Sequence, residues 1–210
     1  MVSMQSGFTI PIIDTTETAL PVVNYILKLS NCQGPNHIEC LRKIDAETLS
    51  DISTKANDQI NSPINTIYGP AIDGDWIPRQ HHESLELGLF RKVPLMITSD
   101  LDEAYVFFIN IRKQAEADKL MRKMFPFMSR EDMDQMHKNF PNKPLKLPFY
   151  NASEPMSLWL FQCPARRLAR AYTNVGLPVY KMLFMQPPSM YKLPGIPKMG
   201  VSHVADLVFW

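Results

Sequence analysis

The chain of 210 residues lacks the long apolar run, the charged leader and the net charge that identify several broad classes of protein. No apolar stretch approaches the roughly 18 residues of a membrane-spanning helix, so no transmembrane segment is predicted. No basic segment precedes the apolar residues at the start, so no targeting signal is predicted. Lysine and arginine number 22 against 21 aspartate and glutamate, which gives nucleic acid no bulk attraction. Arg166, Arg167 and Arg170 are interpreted as the wet face of a helix, and no nucleic-acid partner is predicted.

Recognisable cofactor and metal motifs are also missing. Glycine occurs only 8 times and never in adjacent pairs, and no phosphate-cradling loop is present. His81 and His82 are neighbours in sequence, so they cannot share one helix face as metal ligands would, and no cysteine or carboxylate spacing completes a zinc site. The sequence therefore predicts neither a metal nor a cofactor.

Cysteine is scarce, and its three copies leave two interpretations open. Cys32 and Cys40 are separated by a short loop containing Gly34 and Pro35, which can bring their side chains together. In a cytosolic protein all three cysteines would be buried thiols, whereas in a secreted one Cys32 and Cys40 would pair and Cys163 would lack a partner here. Cys163 is a weak candidate nucleophile because FQCPARR is typical of a helix interior.

Apolar strands alternate with helices along the rest of the chain. VPLMIT (93–98) is a continuous apolar run, typical of a strand buried on both faces of a parallel sheet, and MVSMQ and PVYKMLFMQ are further predicted strands. The predicted helices include 15–31, 45–58 with Asp45 as N-cap, the methionine-rich stretch from Glu103 to His137 with Ser129 as an internal N-cap, and 155–174 ending near Gly176. This alternation indicates an α/β protein, and residues 1–210 are predicted to form one compact unit whose methionines fill gaps in the core.

Acidic residues follow one predicted strand and a histidine follows the next. Asp100, Asp102 and Glu103 come directly after VPLMIT, and catalytic groups gather beyond the carboxyl ends of parallel strands. At least one of the two aspartates is expected to cap a helix that begins at Glu103. His203 lies beyond the last predicted strand. An acid followed by a histidine matches the last two members of a Ser…Asp/Glu…His relay in the chain order of α/β-hydrolases.

The first member of that relay is missing from the chain. Gly-x-Ser-x-Gly does not occur, and no Gly-Gly pair could supply the usual oxyanion loop. A base without a hydroxyl to deprotonate performs no acyl transfer, so these residues alone leave His203 without a reaction partner.

Six segments, in chain order, carry a more specific signal: MVSMQSGF, NCQGPNHIECLRKIDAETL, GPAIDGDWIP, VPLMITSDLDEAYVF, QCPARRLARAYTNVGLPVYKMLF and GVSHVADLVFW. Together they resemble the type-B carboxylesterase and cholinesterase family of α/β-hydrolases, particularly its fungal lipases and esterases. The fourth resembles Val-Pro-x-Met-x-Gly-x-Asn-x-Asp-Glu-Gly, and the sixth resembles Gly-x-x-His-Gly-x-Glu-Leu-x-Phe-Val. The resemblance implies a partial α/β-hydrolase fold, with mostly parallel strands and helices packed around them.

The resemblance also implies a function. Glu103 would be the acid and His203 the general base of a Ser-Glu-His triad in a hydrolase acting on small-molecule or lipid esters. The serine would lie upstream of Met1, so residues 1–210 would be the C-terminal portion of a single domain and would be inactive alone. The expected location is secreted or luminal. Two other identities stay open, a non-catalytic cholinesterase-like binding or adhesion protein and a truncated gene product.

The same resemblance extends to the cysteines and to one acidic turn. It implies a disulfide between Cys32 and Cys40, and it pairs Cys163 with a cysteine beyond residue 210. It also assigns Asp73 and Asp75 a structural role.

Four positions depart from the resembled motifs. Thr98 and Ala104 stand where glycine is usual, and Asp206 stands where glutamate is common. Val204 replaces the glycine that usually follows the histidine. Because a β-branched residue does not readily take a positive φ, Val204 is expected to reposition the loop that carries His203.

Overall fold

The computed structural model describes residues 1–7, 14–60, 69–125, 128–141, 150–194 and 199–209. The chain divides into two compact units. Met1–Pro11 and His81–Trp210 form the first unit, and Ile12–Gln80 form the second. The expectation that residues 1–210 are part of one domain stays a prediction.

A parallel sheet forms the centre of the first unit. The described strands are β1 (Val2–Gln5), β2 (Asp14–Thr15), β3 (Ala71–Ile72), β4 (Leu95–Asp100) and β5 (Val179–Phe184). Strand β4 lies between β1 and β5 and is parallel to both. β1, β4 and β5 are the three strands that the apolar runs predict. β4 continues two residues beyond the predicted run because Ser99 and Asp100 pair with Leu183 and Phe184 of β5.

Helices account for most of the remaining described residues. They are α1 (Thr16–Leu29), α2 (His37–Leu41), α3 (Ala46–Ile60), α4 (His81–Glu86), α5 (Gln114–Met124), α6 (Arg130–Asn139), α7 (Tyr150–Ser157) and α8 (Cys163–Asn174). Short 3₁₀ helices span Glu103–Phe108, Ser189–Lys192 and Ala205–Phe209, and a π-helical turn, Leu158–Gln162, joins α7 to α8. Helix α8 ends as predicted, with Gly176 at a φ of +75° just beyond its last turn.

The stretch predicted as helical from Glu103 to His137 is divided into three helices. The 3₁₀ helix ends at Phe108, and α5 begins only after Lys113, whose extended backbone (φ −127°, ψ 142°) interrupts the helical path. The predicted N-cap of α6 is confirmed, since the Ser129 hydroxyl accepts the N–H of Asp132 at 3.1 Å. The Asp132 carboxylate in turn accepts the N–H of Ser129 at 2.8 Å, which completes a capping box.

Two apolar clusters stabilise the first unit. One packs α4 and α8 against β4 and contains Leu85, Leu95, Ile97, Ala165, Leu168 and Tyr172. The other lies among α5, α6, α7 and the 3₁₀ helix Glu103–Phe108, and four methionines are buried in it: Met121, Met133, Met136 and Met156. These four methionines lie in the core as predicted, whereas Met1, Met185 and Met190 are exposed. Ala104 and Phe108 belong to this second cluster, so the core holds the short helix that begins at Glu103.

The second unit contains α1, α2, α3 and the short parallel pair of β2 and β3. The predicted cap of α3 is confirmed, since the Asp45 carboxylate accepts the N–H of Thr48 at 2.9 Å. The structure joins Cys32 to Cys40 by a disulfide, which ties the turn after α1 to α2. Of the two interpretations of these cysteines, the paired one is therefore correct.

Residues 199–206, which we call the histidine loop, contain two residues in the left-handed region. Gly200 has a φ of +63° and Val204 has a φ of +68°. Glycine takes this conformation readily, whereas a side chain with a Cβ pays about 1–2 kcal/mol to do so. Val204 therefore keeps a backbone conformation that favours glycine, despite its branched side chain.

The disulfide generates the first prediction. Replacing Cys32 and Cys40 together with alanine should lower the free energy of unfolding of the second unit by about 2–3 kcal/mol, because the unfolded chain regains the freedom of a loop of about nine residues. Amide hydrogen exchange in α1 and α3 measures this change. The exposed free thiol of Cys163 supplies the control, since Cys163→Ala should change exchange in those helices very little. Unchanged protection in the double variant would contradict the prediction.

The positive φ of Val204 generates the second prediction. Val204 is 51% exposed, so Val204→Gly loses little packing while relieving the positive φ, and it should raise the free energy of unfolding by up to about 1 kcal/mol. Val175 is a matched control, because it is 44% exposed with a φ of −102°, and Val175→Gly should be destabilising. Urea unfolding of the two variants tests the contrast, which fails if both glycines shift the midpoint in the same direction.

Candidate active site

Glu103 lies directly beyond the carboxyl end of β4. The strand ends at Asp100, the chain turns at residues 101–102, and Glu103 opens the 3₁₀ helix with its side chain fully buried. One carboxylate oxygen, Oε1, accepts the backbone N–H of Asp100 at 2.8 Å. The turn thus folds back so that the last residue of the strand donates to the first residue of the helix, which fixes the direction of the Glu103 side chain.

The other carboxylate oxygen of Glu103 meets His203. Nδ1 of the imidazole lies 2.7 Å from Oε2, although the two residues are 100 positions apart in sequence. The backbone N–H of His203 also donates to the carbonyl oxygen of Glu103 at 3.1 Å. Because a carboxylate only accepts, Nδ1 carries the proton in this contact and Nε2 is left for another partner. The structure therefore brings together the two residues that the sequence predicts as acid and base.

The surroundings of His203 strengthen it as a base. Its side chain is 33% exposed while that of Glu103 is 0% exposed, so the pair has a buried end and an accessible end. The pKa of His203 is raised above its usual value, chiefly by the hydrogen bond to Glu103, with burial opposing and the negative charges of Glu103, Asp100 and Asp206 adding to the increase. An imidazole held in this way accepts a proton more readily than one in water.

Asp100 and Asp102 do not have the role that the sequence predicts. Asp102 stands at the N-cap position of the 3₁₀ helix, but its carboxylate makes no capping hydrogen bond, so the capping prediction is wrong. Instead, Oδ2 of Asp102 accepts the N–H of Val201 and Oδ2 of Asp100 accepts the N–H of Ala205, each at 3.1 Å. Both partners belong to the histidine loop, about 100 residues away, so no local pattern could have revealed these contacts.

Asp100 is a buried carboxyl group whose pKa is raised to about 7. Burial is the largest cause, followed by the negative charges of Glu103 and Asp206. Asp206, which stands where the resembled motif has glutamate, is also buried. Three buried acidic side chains, Asp100, Glu103 and Asp206, thus act on the imidazole through their negative charge.

Two aromatic rings lie beside the imidazole, and no sequence pattern pointed to either of them. The ring centroid of Phe161 lies 5.2 Å from that of His203, and the ring centroid of Phe107 lies 6.4 Å away. Phe161 is buried in the methionine-rich cluster, whereas Phe107 is exposed. The imidazole of His203 therefore has two apolar rings near it, one buried and one exposed.

The remaining candidate residues lie elsewhere in the structure. Cys163 is an exposed free thiol at the start of α8, and the three arginines predicted as a wet helix face are all exposed on α8. In the second unit the Asp73 carboxylate accepts the N–H groups of Asp75 and Ile77, which closes a turn. Burial lowers the pKa of His81.

Two negative findings apply to the described residues. Among them, no three or more histidine, cysteine, aspartate or glutamate side chains are grouped so that they could hold a metal ion. None of the helices that the structure describes has both the length and the apolar composition needed to cross a membrane.

Comparison with known proteins finds relatives that include two lipases. Secreted lipase 4 of Gibberella zeae is 24% identical over 182 residues, which cover 80% of this chain and 32% of that protein. Lipase 5 of Diutina rugosa is 24% identical over 225 residues, which cover 98% of this chain and 40% of that protein. The chain thus spans between 32% and 40% of the length of these two relatives.

Solved structures show the same fold. The crystal structure of EstA from Aspergillus niger has a TM-score of 0.76 and 19% identity, and the match covers 98% of this chain and 41% of that one. Carboxylesterase Est55 from Geobacillus stearothermophilus has a TM-score of 0.66 and 22% identity, covering 93% of this chain and 43% of that one. The α/β-hydrolase fold is therefore confirmed. The model of the Carboxylesterase family matches residues 2–210, so this chain belongs to the carboxylesterase family.

Proposed function

We propose that this chain supplies the acid and the base of a Ser-Glu-His triad in a carboxylic-ester hydrolase. The hydrogen bond of 2.7 Å between the Glu103 carboxylate and Nδ1 of His203 is the observation that carries the proposal. It orients the imidazole, selects the tautomer with a proton on Nδ1, and leaves Nε2 to accept the proton of a serine hydroxyl.

The triad serine belongs to a part of the protein outside residues 1–210 in this proposal, because the chain contains no Gly-x-Ser-x-Gly. His203 accepts the serine proton as the oxygen attacks the ester carbonyl, and it returns that proton to the departing alcohol. Water then attacks the acyl-enzyme. His203 takes a proton from this water and returns it to the serine oxygen as the carboxylic acid is released. Glu103 stabilises the imidazolium that forms in both steps, and its burial makes that stabilisation stronger than it would be in water.

The substrate is an ester with an apolar group beside its carbonyl. The apolar rings of Phe161 and Phe107 flank the imidazole and suit such a group. The names of the two relatives describe lipases, which agrees with this class.

Residues 1–210 form the C-terminal portion of one hydrolase domain, and the complete protein acts in a secreted or luminal compartment. The match to 41% of the length of a solved esterase supports the first statement. A relative described as a secreted lipase and the Cys32–Cys40 disulfide support the second, because disulfides persist in oxidising compartments.

The third prediction tests whether the nucleophile lies outside the chain. The purified 210-residue chain should hydrolyse a chromogenic short-chain ester no faster than its His203→Ala variant, because no serine is available for the base to activate. A longer form that includes an in-frame upstream Gly-x-Ser-x-Gly should be active, and there His203→Ala should lower kcat by about 10⁴-fold or more. Turnover by the 210-residue chain that depends on His203 would refute the assignment. An upstream sequence without the motif would favour a non-catalytic or truncated product.

The fourth prediction uses the raised pKa of His203. Glu103→Gln removes the negative charge of the carboxylate that raises this pKa, so the imidazole should titrate at a lower pH in the variant, as followed by NMR. A general base must be neutral, so kcat/KM of the longer form should rise with pH through the pKa of His203, and that rise should move to lower pH in Glu103→Gln. The variant should also lose about 10⁴-fold in kcat because Nδ1 no longer faces a carboxylate.

Glu116→Gln is the matched control for that experiment. Glu116 is an exposed glutamate that accepts the N–H of Arg112 at 3.0 Å and does not contact His203. Its substitution should leave the titration of His203 and the pH profile unchanged. An unaltered His203 titration in Glu103→Gln would mean that the contact does not govern the imidazole.

A further inference from the structure

Hydrogen bonds hold the histidine loop to the end of β4 and to the turn that follows it, on both sides of His203. Val201 lies two residues before His203, and its N–H donates to Oδ2 of Asp102. Ala205 lies two residues after His203, and its N–H donates to Oδ2 of Asp100. The backbone N–H of Asp102 also donates to the carbonyl oxygen of Val201 at 2.9 Å.

Burial makes these contacts strong constraints. Asp100 is 1% exposed and Asp102 is 7% exposed, and a carboxyl group so far from water is tolerated only where it accepts hydrogen bonds. Releasing the loop from either residue would leave a buried carboxyl group and a backbone N–H without these partners. Both ends of the five-residue span from Val201 to Ala205 are therefore costly to move.

Gly200 shows how closely the loop is packed against Asp102. A Cβ placed on Gly200 would lie 2.5 Å from Oδ2 of Asp102, closer than any carbon atom can approach, and the φ of +63° also favours glycine. The loop thus approaches the carboxylate to a distance that only a residue without a side chain allows.

We propose that Asp100 and Asp102 are positioning residues that hold His203 at Glu103. They act on the loop backbone on either side of the histidine, while Glu103 acts on its ring. The imidazole then needs no further ordering before it accepts a proton, which is the advantage of a preorganised site. The catalytic consequence rests on the proposed hydrolase function, whereas the structural consequence does not.

Charge is the alternative explanation for these carboxyl groups, and asparagine separates the two. Asp100→Asn and Asp102→Asn keep an oxygen in position to accept the loop N–H but remove the negative charge. Asp100→Ala and Asp102→Ala remove both. Positioning predicts that the asparagine variants resemble the parent and the alanine variants do not, whereas a role through charge alone predicts that asparagine and alanine behave alike.

The fifth prediction is tested first by NMR on the 210-residue chain. In the parent and the two asparagine variants, the Nδ1 proton of His203 should give a downfield resonance and the His203 amide should exchange slowly. In the alanine variants both signatures should be lost. Met133→Ala is the control for general destabilisation, because it leaves a cavity in the buried core without touching the loop.

Activity of the longer form supplies the second readout. Asp100→Ala should lower kcat by about 10²-fold with KM nearly unchanged, and Asp100→Asn should restore kcat to within about tenfold of the parent. Loss of the NMR signatures in alanine variants of a protein without esterase activity would support the positioning role and refute the hydrolase. Full activity in Asp100→Ala would refute the positioning role and support the hydrolase function. If the alanine variants do not fold, the nearly isosteric asparagine variants decide, since loss of the signatures there overturns the proposal.

Discussion

A fully buried carboxylate, that of Glu103, is the feature around which the described elements near His203 are arranged. Such a group is stable only when both of its oxygens accept hydrogen bonds, and here each oxygen takes its donor from a different element. Oε1 uses the backbone of Asp100, which fixes the turn after β4, and Oε2 uses the ring of His203, which fixes the histidine loop. The strand end, the short helix and the loop therefore depend on one another.

The helical core supports this arrangement through hydrogen bonds and packing. The N–H of Ala104 donates to the buried hydroxyl of Ser157 at 2.9 Å, and that hydroxyl donates to the carbonyl of Ser153 one turn earlier in α7. Phe161 follows in the π-helical turn and packs beside the imidazole. The methionine-rich cluster thus supports Glu103 and His203, because it contains Ala104 and Phe161, and ordinary core packing holds both residues in place.

The sequence predicted the three strands β1, β4 and β5, the helix caps at Asp45 and Ser129, and the acid and histidine that the fold brings together. These features depend on local patterns, namely apolar runs, capping chemistry and the position of polar residues after a strand. It did not predict the division of the stretch after Glu103 into three helices, because lysine, the residue at position 113, is not a residue type that marks a helix break. It assigned Asp100 or Asp102 to a cap because a carboxylate before a helix usually acts on its own neighbours, whereas here the partners are Ala205 and Val201.

The separation of 100 residues between Glu103 and His203 has a consequence for how the molecule forms. Their contact closes a very long loop, and the entropy lost in closing it is recovered only when β4 and β5 are already paired and their helices docked. We therefore expect the contact between Glu103 and His203 to form late in folding, after the strands and helices that carry the two residues. The hydrogen bond that orients the imidazole is then complete only when the fold itself is complete.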